Sequence, residues 1–369
     1  MFSMLDGLTG TKTPRPPQPG VWAPMPTFFL PDTEELGEPR MCTVLLRYVL
    51  TWKTNIPTFR RHMVSMAEKK MGIVVGGSMG EAHHCTPAER ILLVQEARQA
   101  LDAADMTDVP ILAGTGMGST KATIELTREA VNAGADAALV IASGYYAGAI
   151  AGDRKALKKF WMDVCEKSPI PVMIYNYPGA SGGINLDSDV IEEIGREAPN
   201  SCGVKLTCGD VGKLTRICAT VAVPSFAQLH PRDTQTPFLV LGGFADFLVP
   251  SVFARGHGAI MGLGNISPRV LVRCWELAQE ALRDPTALEA AQQLQDLAAR
   301  GDRTIALAGI SGTKELLNRL YGYGGAPRRP LLPLSATEGQ ELWDHENVRA
   351  LLNVEMELEA EAQRVHEKQ

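Results

Sequence analysis

Ile170–Thr207 reads IPVMIYNYPGASGGINLDSDVIEEIGREAPNSCGVKLT. It opens on an apolar run rich in Val, Ile and Tyr, followed by the turn formers Pro178, Gly179, Gly182 and Gly183. That pattern predicts a short buried strand over 170–176. Asp187 then stands ahead of Ile191 and Ile194, a cap residue followed by apolar positions at helical spacing. A second short apolar run, Ser201–Thr207, closes the unit. Strand, helix and strand in that order make a crossover that joins two parallel strands.

The same unit recurs on both sides. Short apolar runs lie at Val21–Pro26, Met71–Gly76, Val109–Gly114, Ala135–Ala142, Pro237–Gly242 and Gly258–Gly262. With the first two they make eight, the number a closed parallel barrel requires. Helix signals fill the gaps. Thr86-Pro87-Ala88-Glu89 combines a cap, a first-turn proline and a capping-box glutamate; Ser119 caps a helix that Gly134 stops; Ser267-Pro268 opens another. The fold class is therefore α/β, a (β/α)8 TIM barrel with additional C-terminal helices.

The domain reading places a flexible segment over 1–19, the barrel over 20–265, the last barrel helix and a helical region over 266–325, and a proline break with a charged tail over 326–369. The helices past the barrel are expected near 286–300, 303–309, 312–321 and 337–362. One stretch resists the pattern: about 45 residues separate the first two runs, and 34–56 contains RMCTVLLRYVLTWKTN, apolar and basic without clean periodicity. It is either an extra excursion or read-through of an unspliced intron, which an intact mass of the natural protein would decide.

Composition narrows the function classes. Hydrophobic residues at 45% and charged residues at 21% are those of a globular chain. The net charge of −6, from 42 acidic against 36 basic residues, gives no nucleic-acid footprint. No apolar stretch reaches the roughly 18–20 residues of a membrane helix. Seven cysteines without C-x-x-C spacing read as free thiols in a reducing compartment. The first twenty residues lack a secretory apolar core, so the expected location is the cytoplasm, with the mitochondrion as a second reading.

A barrel keeps its chemistry at the C-terminal ends of its strands. On that rim fall Gly76-Gly77-Ser78-Met79-Gly80-Glu81, Tyr145-Tyr146, Tyr175-Asn176 and Lys205-Leu206-Thr207. Lys205, a cation in the apolar phase of a strand, is either a salt-bridged structural lysine or an amine whose desolvation favours the neutral nucleophile that condenses with a carbonyl. Tyr175, Ser78 and Tyr145 or Tyr146 offer an acid/base chain beside it, though a lone tyrosine is equally a core aromatic. The glycines around Ser78 build an anion nest sized for a carboxylate. No Walker lysine follows and the G-x-G-x-x-G spacing is missing, so no nucleotide is expected. Adjacent His83, His84 and Cys85 do not converge on one ion, so no metal is expected either.

GGSMGE, YNYPGASGG and GVKLTCGD, in this order on the second, fifth and sixth strands, resemble the motifs of the dihydrodipicolinate synthase and N-acetylneuraminate lyase superfamily of pyruvate-dependent aldolases. The resemblance covers about residues 20–325 apart from 34–56. It implies Lys205 as the imine-forming lysine, Tyr175 as the catalytic tyrosine, Ser78 as the relay hydroxyl and Tyr146 as the tyrosine that reaches an adjoining subunit. It further implies that Gly77 and Met79 hold the substrate carboxylate and that Thr207 and Gly242 line the pocket. No organic cofactor is implied, and the partners are a small 2-oxo acid, an aldehyde and further copies of the chain in a homotetramer or homodimer.

Two departures matter. Met79 replaces a usual threonine or asparagine, and Ala180 stands where dihydrodipicolinate synthases carry an arginine for a second carboxylate. The loss of that guanidinium points away from lysine-pathway synthesis. The expected activity is cleavage or formation of a 4-hydroxy- or 3-deoxy-2-oxo acid, such as 4-hydroxy-2-oxoglutarate or 2-dehydro-3-deoxy-L-galactonate, the wording being most like fungal members. Dihydrodipicolinate synthesis or dehydration through the same imine, and a catalytically impaired 2-oxo-acid-binding protein, are the alternatives.

Overall fold

In the computed structural model, residues 15–30, 34, 36, 55–229 and 237–366 are described. Seven of the eight apolar runs contain a parallel strand and the first overlaps one that starts a residue earlier: β1 Gly20–Pro24, β2 Gly72–Val75, β3 Ile111–Gly114, β4 Ala137–Ile141, β5 Val172–Asn176, β6 Ser201–Leu206, β7 Leu239–Gly242 and β8 Gly258–Ile260. They pair in sequence order, and β8 closes on β1 through Gly20 opposite Gly258. The expected barrel is what forms, each strand a residue or more shorter than its apolar run.

Fourteen helices are described: α1 Ile56–Glu68, α2 Pro87–Ala103, α3 Thr120–Ala133, α4 Ala147–Ile150, α5 Arg154–Lys167, α6 Ser188–Glu197, α7 Val211–Val221, α8 Pro224–Leu229, α9 Leu248–Phe253, α10 Pro268–Ala281, α11 Leu288–Leu307, α12 Gly309–Tyr321, α13 Ala336–Asp344 and α14 Glu346–His366. Local chemistry sets their ends. Thr86 and Glu89 form the reciprocal capping box of α2, Ser119 accepts from the Ala122 amide to start α3, and Gly134 ends it. Asp187 occupies the cap position of α6 without a side-chain capping bond.

Strand residues alternate between two apolar phases. Leu139, Met173 and Leu241 fill the barrel interior, whereas Val140, Ile174 and Val240 pack outward with the helices. In β6 the alternation is interrupted. Val172 pairs with Ser201 but Met173 pairs with Gly203, which makes Cys202 an extra residue. Beyond that bulge Val204 and Leu206 pack outward, so Gly203 and Lys205 take the inward phase. Glycine at 203 is required: its φ is +147°, and a Cβ would lie 2.3 Å from the Leu239 carbonyl oxygen.

The C-terminal helices differ from expectation. Two separate helices were expected over 286–300 and 303–309, yet α11 runs unbroken through Gly301 and stops at Ala308, before Gly309 at φ +63°. Gly301 is a packing residue, because a Cβ there would meet Leu351 of α14 at 2.7 Å. The single charged tail helix is two, α13 and α14, parted at His345. Glu34, Leu36, Asn55 and Ile56 are the described residues of the anomalous 34–56 stretch; Leu36 is buried. The rest of that stretch and most of the expected flexible N-terminal segment lie outside the described residues.

Candidate active site

Register brings the first two groups together. Tyr175 on β5 pairs with Lys205 on β6, both are buried at 4% exposure, and the Lys205 Nζ lies 4.3 Å from the Tyr175 ring centroid. The aromatic face receives the ammonium without neutralising it. Ser78, in the turn after β2, places its Oγ 3.3 Å from the Tyr175 hydroxyl. All three line a cavity of about 180 Å³ at the C-terminal mouth of the barrel.

Thr207 lines the same cavity, and its buried Oγ1 has no hydrogen-bond partner among the described residues. A buried hydroxyl left open in a pocket is poised for a ligand. Met79 also lines it, beside Gly262. Gly77 lines a smaller adjoining cavity with Ser78, His83 and Arg90. Among the described residues the Ser78 and Met79 amides have no backbone acceptor, which leaves them free for an anion.

One expected position falls elsewhere. Gly242 ends β7 with Phe247 packed where a Cβ would be, and the next residue, Gly243, lines the cavity instead. Strand-end phase decides this, since one residue along a strand reverses the facing side. Tyr146 lies at the start of α4, 65% exposed, outside the lining of the cavity; Tyr145 beside it is 89% exposed, with ring centroids 5.0 Å apart. Ala180 is exposed in the turn after β5.

Several further groups around the cavity were given no role from the sequence. Tyr177 stacks on Tyr175 at 5.8 Å, and burial raises its phenol above the ordinary value, with Tyr175 adding to the shift. Glu81, at φ +52°, accepts on Oε1 from Lys314 Nζ at 2.5 Å and on Oε2 from the Arg328 amide at 2.8 Å, and Oε2 also lies 3.0 Å from His84 Nδ1. Lys314 is fully buried, also donates to the Ala326 carbonyl, and is held below its usual range by burial, an effect that Glu81 opposes. The turn bearing Ser78 is thus fastened to the C-terminal helices by a buried ion pair.

Those helices also roof the mouth. Asp302, Ile305 and Ala306 of α11 and Ile310 and Thr313 of α12 line the same cavity as Lys205. Asp302 Oδ2 accepts from the Ala245 amide at 2.7 Å. Gln295 holds the same connection, donating to the Ala245 carbonyl and accepting from the Val249 amide, each at 2.7 Å. Burial pushes the Asp302 carboxyl up to about 7; the Ala245 hydrogen bond opposes this and Asp246 reinforces it.

The sequence is similar to known proteins along most of its length. The model of the Dihydrodipicolinate synthetase family matches residues 61–347. L-threo-3-deoxy-hexylosonate aldolase of Hypocrea jecorina is 37% identical over 340 residues, 92% of this chain and 98% of that protein. A protein of Emericella nidulans named as a probable mitochondrial 4-hydroxy-2-oxoglutarate aldolase is 37% identical over 329 residues, 89% of this chain and 94% of its own. Among solved structures, a dihydrodipicolinate synthase family protein from Coccidioides immitis superposes with a TM-score of 0.74 at 32% identity, covering 94% of this chain and 99% of that one. With the closed barrel, the motifs on β2, β5 and β6 and these likenesses in agreement, the chain belongs to the dihydrodipicolinate synthetase family.

Proposed function

We propose that this protein is a class I aldolase that cleaves or forms a 4-hydroxy- or 3-deoxy-2-oxo acid with pyruvate as the common product, through an imine on Lys205. The observation that carries the reading is the registered Tyr175–Lys205 pair inside the barrel mouth, with Ser78 Oγ 3.3 Å from the phenol. The named activities of the fungal relatives support it.

In this mechanism the Ser78 and Met79 amides receive the substrate carboxylate. Lys205 Nζ attacks C2, and the carbinolamine loses water to give an iminium. Tyr175 takes the proton of the C4 hydroxyl as the C3–C4 bond breaks. The aldehyde departs, the bonding pair passes to the iminium as an enamine, and protonation at C3 followed by hydrolysis frees pyruvate and the amine. The imine is its own electron sink.

Borohydride with pyruvate is the direct test. The unmodified protein should gain one pyruvate-derived adduct by mass, and Lys205→Ala should gain none; absence of the adduct from the unmodified protein would reject the imine. Product analysis separates cleavage, which yields an aldehyde and pyruvate, from dehydration. Synthesis of the dihydrodipicolinate precursor is disfavoured by the exposed Ala180 and by the absence of any arginine from the described residues that line the cavity.

For assembly, the exposed Tyr145–Tyr146 pair supports contact with another copy of the chain in a dimer or tetramer, which sedimentation would measure. No helix among the described residues is long and apolar enough to cross a membrane. We place the protein in the cytoplasm, with the mitochondrion as the second reading that the name of the Emericella relative supports; fractionation decides between them.

A further inference from the structure

We infer that Asp302 selects the aldehyde half of the substrate, hydrogen-bonding the hydroxyls of a neutral polyhydroxylated tail and offering a second carboxylate no cation to pair with. The inference rests on the Lys205 aldolase reading and goes further, because it chooses between the two substrate classes that reading leaves open.

The charge pattern of the cavity makes the argument. Among the described residues Lys205 and Asp302 are its two charged lining side chains. Lys205 becomes the iminium at C2 and the small-acid carboxylate is assigned to the amides after β2, so both are engaged with the pyruvate half of the substrate. What faces the rest of the substrate is therefore a carboxyl, with no arginine, lysine or histidine among the remaining described lining residues. A dianion such as 4-hydroxy-2-oxoglutarate would bring its distal carboxylate against that wall without a compensating cation from the described residues. A sugar-acid tail brings hydroxyl donors instead.

Asp302 is also held in the right state to read them. The Ala245 amide fixes Oδ2, while Oδ1 has no hydrogen-bond partner among the described residues. The Gln295 bonds to the same connection keep that amide in place. The unpartnered Thr207 hydroxyl and the Thr313 side chain give the cavity further oxygens for a polyol. A structural carboxylate whose whole task was to cap the β7–α9 connection would not need to line the cavity.

The test is a ratio: kcat/KM for a six-carbon 3-deoxy-2-oxo sugar acid divided by kcat/KM for 4-hydroxy-2-oxoglutarate. The unmodified protein should favour the sugar acid by about tenfold or more, and Asp302→Asn, which keeps an acceptor for the Ala245 amide, should lower the ratio about tenfold. Partial unfolding lowers both values together and leaves the ratio unchanged. If Asp302→Asn does not fold, Ile310→Arg adds a cation to the same wall and should move the ratio in the same direction. An unmodified protein that prefers the dicarboxylate, or variants with an unaltered ratio, would overturn the inference. Borohydride trapping with pyruvate, which has no tail to read, separates the failures: an adduct with an unaltered ratio removes only the role of Asp302, whereas no adduct removes the imine and this inference with it.

Discussion

In the mechanism we propose, a phenol beside a lysine serves two purposes that mutation can separate. The Tyr175 ring accepts the Lys205 ammonium on its face, and the hydroxyl lies 3.3 Å from Ser78 Oγ. Tyr175→Phe keeps the ring and removes the proton carrier. It should lower kcat by about 10²- to 10⁴-fold while a pyruvate adduct still forms, as rapid-quench turnover and intact mass would read; unchanged turnover would reject the role. Lys205, Tyr175 and Ser78 were legible because strand ends on a barrel rim are marked by short motifs. Asp302 was not, since with Gly301 it falls in the gap expected between helices 286–300 and 303–309 and belongs to no motif. Only tertiary packing shows that this acid is turned into the cavity. Gly242 was misplaced by one residue, the error to which a period-two strand is most sensitive.

Helices α11 and α12 do for this barrel what a strand-end motif cannot: they roof the mouth and hold the turn after β2. The holding contact is the Glu81–Lys314 pair, with both side chains fully buried. Removing one partner from a buried pair leaves the other charge without compensation, so Lys314→Met should lower unfolding free energy by about 3–5 kcal/mol. Glu81→Gln in the same chain removes the stranded charge and should restore part of the loss. Urea denaturation of both single variants and the double variant reads the coupling, and strictly additive losses would show that the pair does not act as a unit. The capping box of α2 and the ends of α3 were legible from local chemistry. The length of α11 was not, because Gly301 looks like a stop signal until Leu351 is seen packed against it.

Closure of the whole molecule was legible as a count of eight apolar runs, but what seals the seam between β8 and β1 was not. Asn265 Nδ2 donates to the Pro24 carbonyl, tying the end of β8 to the end of β1. His62 on α1 joins this seam to the C-terminal region: its Nε2 is 2.9 Å from Asn265 Oδ1 and its Nδ1 is 3.1 Å from the Tyr323 hydroxyl. With Nε2 donating to the amide oxygen and Nδ1 accepting from the phenol, the ring is neutral. Burial lowers its pKa from the ordinary 6.5 to about 4, against the opposing bond to Asn265. The unfolded chain therefore binds more protons between those values, so this contribution is present above pH 6.5 and lost as pH falls toward 4, to the extent of about 3 kcal/mol. Asp302 and Glu355, both pushed up to about 7 by burial, act in the opposite sense: their contribution falls as pH rises toward 7. A single pH profile mixes these effects, but a difference between two chains isolates one. His62→Gln should be less stable than the unmodified protein at pH 7, and the gap should narrow by pH 4.5, because only the unmodified chain has an imidazole to protonate. Denaturant midpoints at both pH values measure the gap, and one that stayed constant would mean that His62 does not carry the acid sensitivity of the seam.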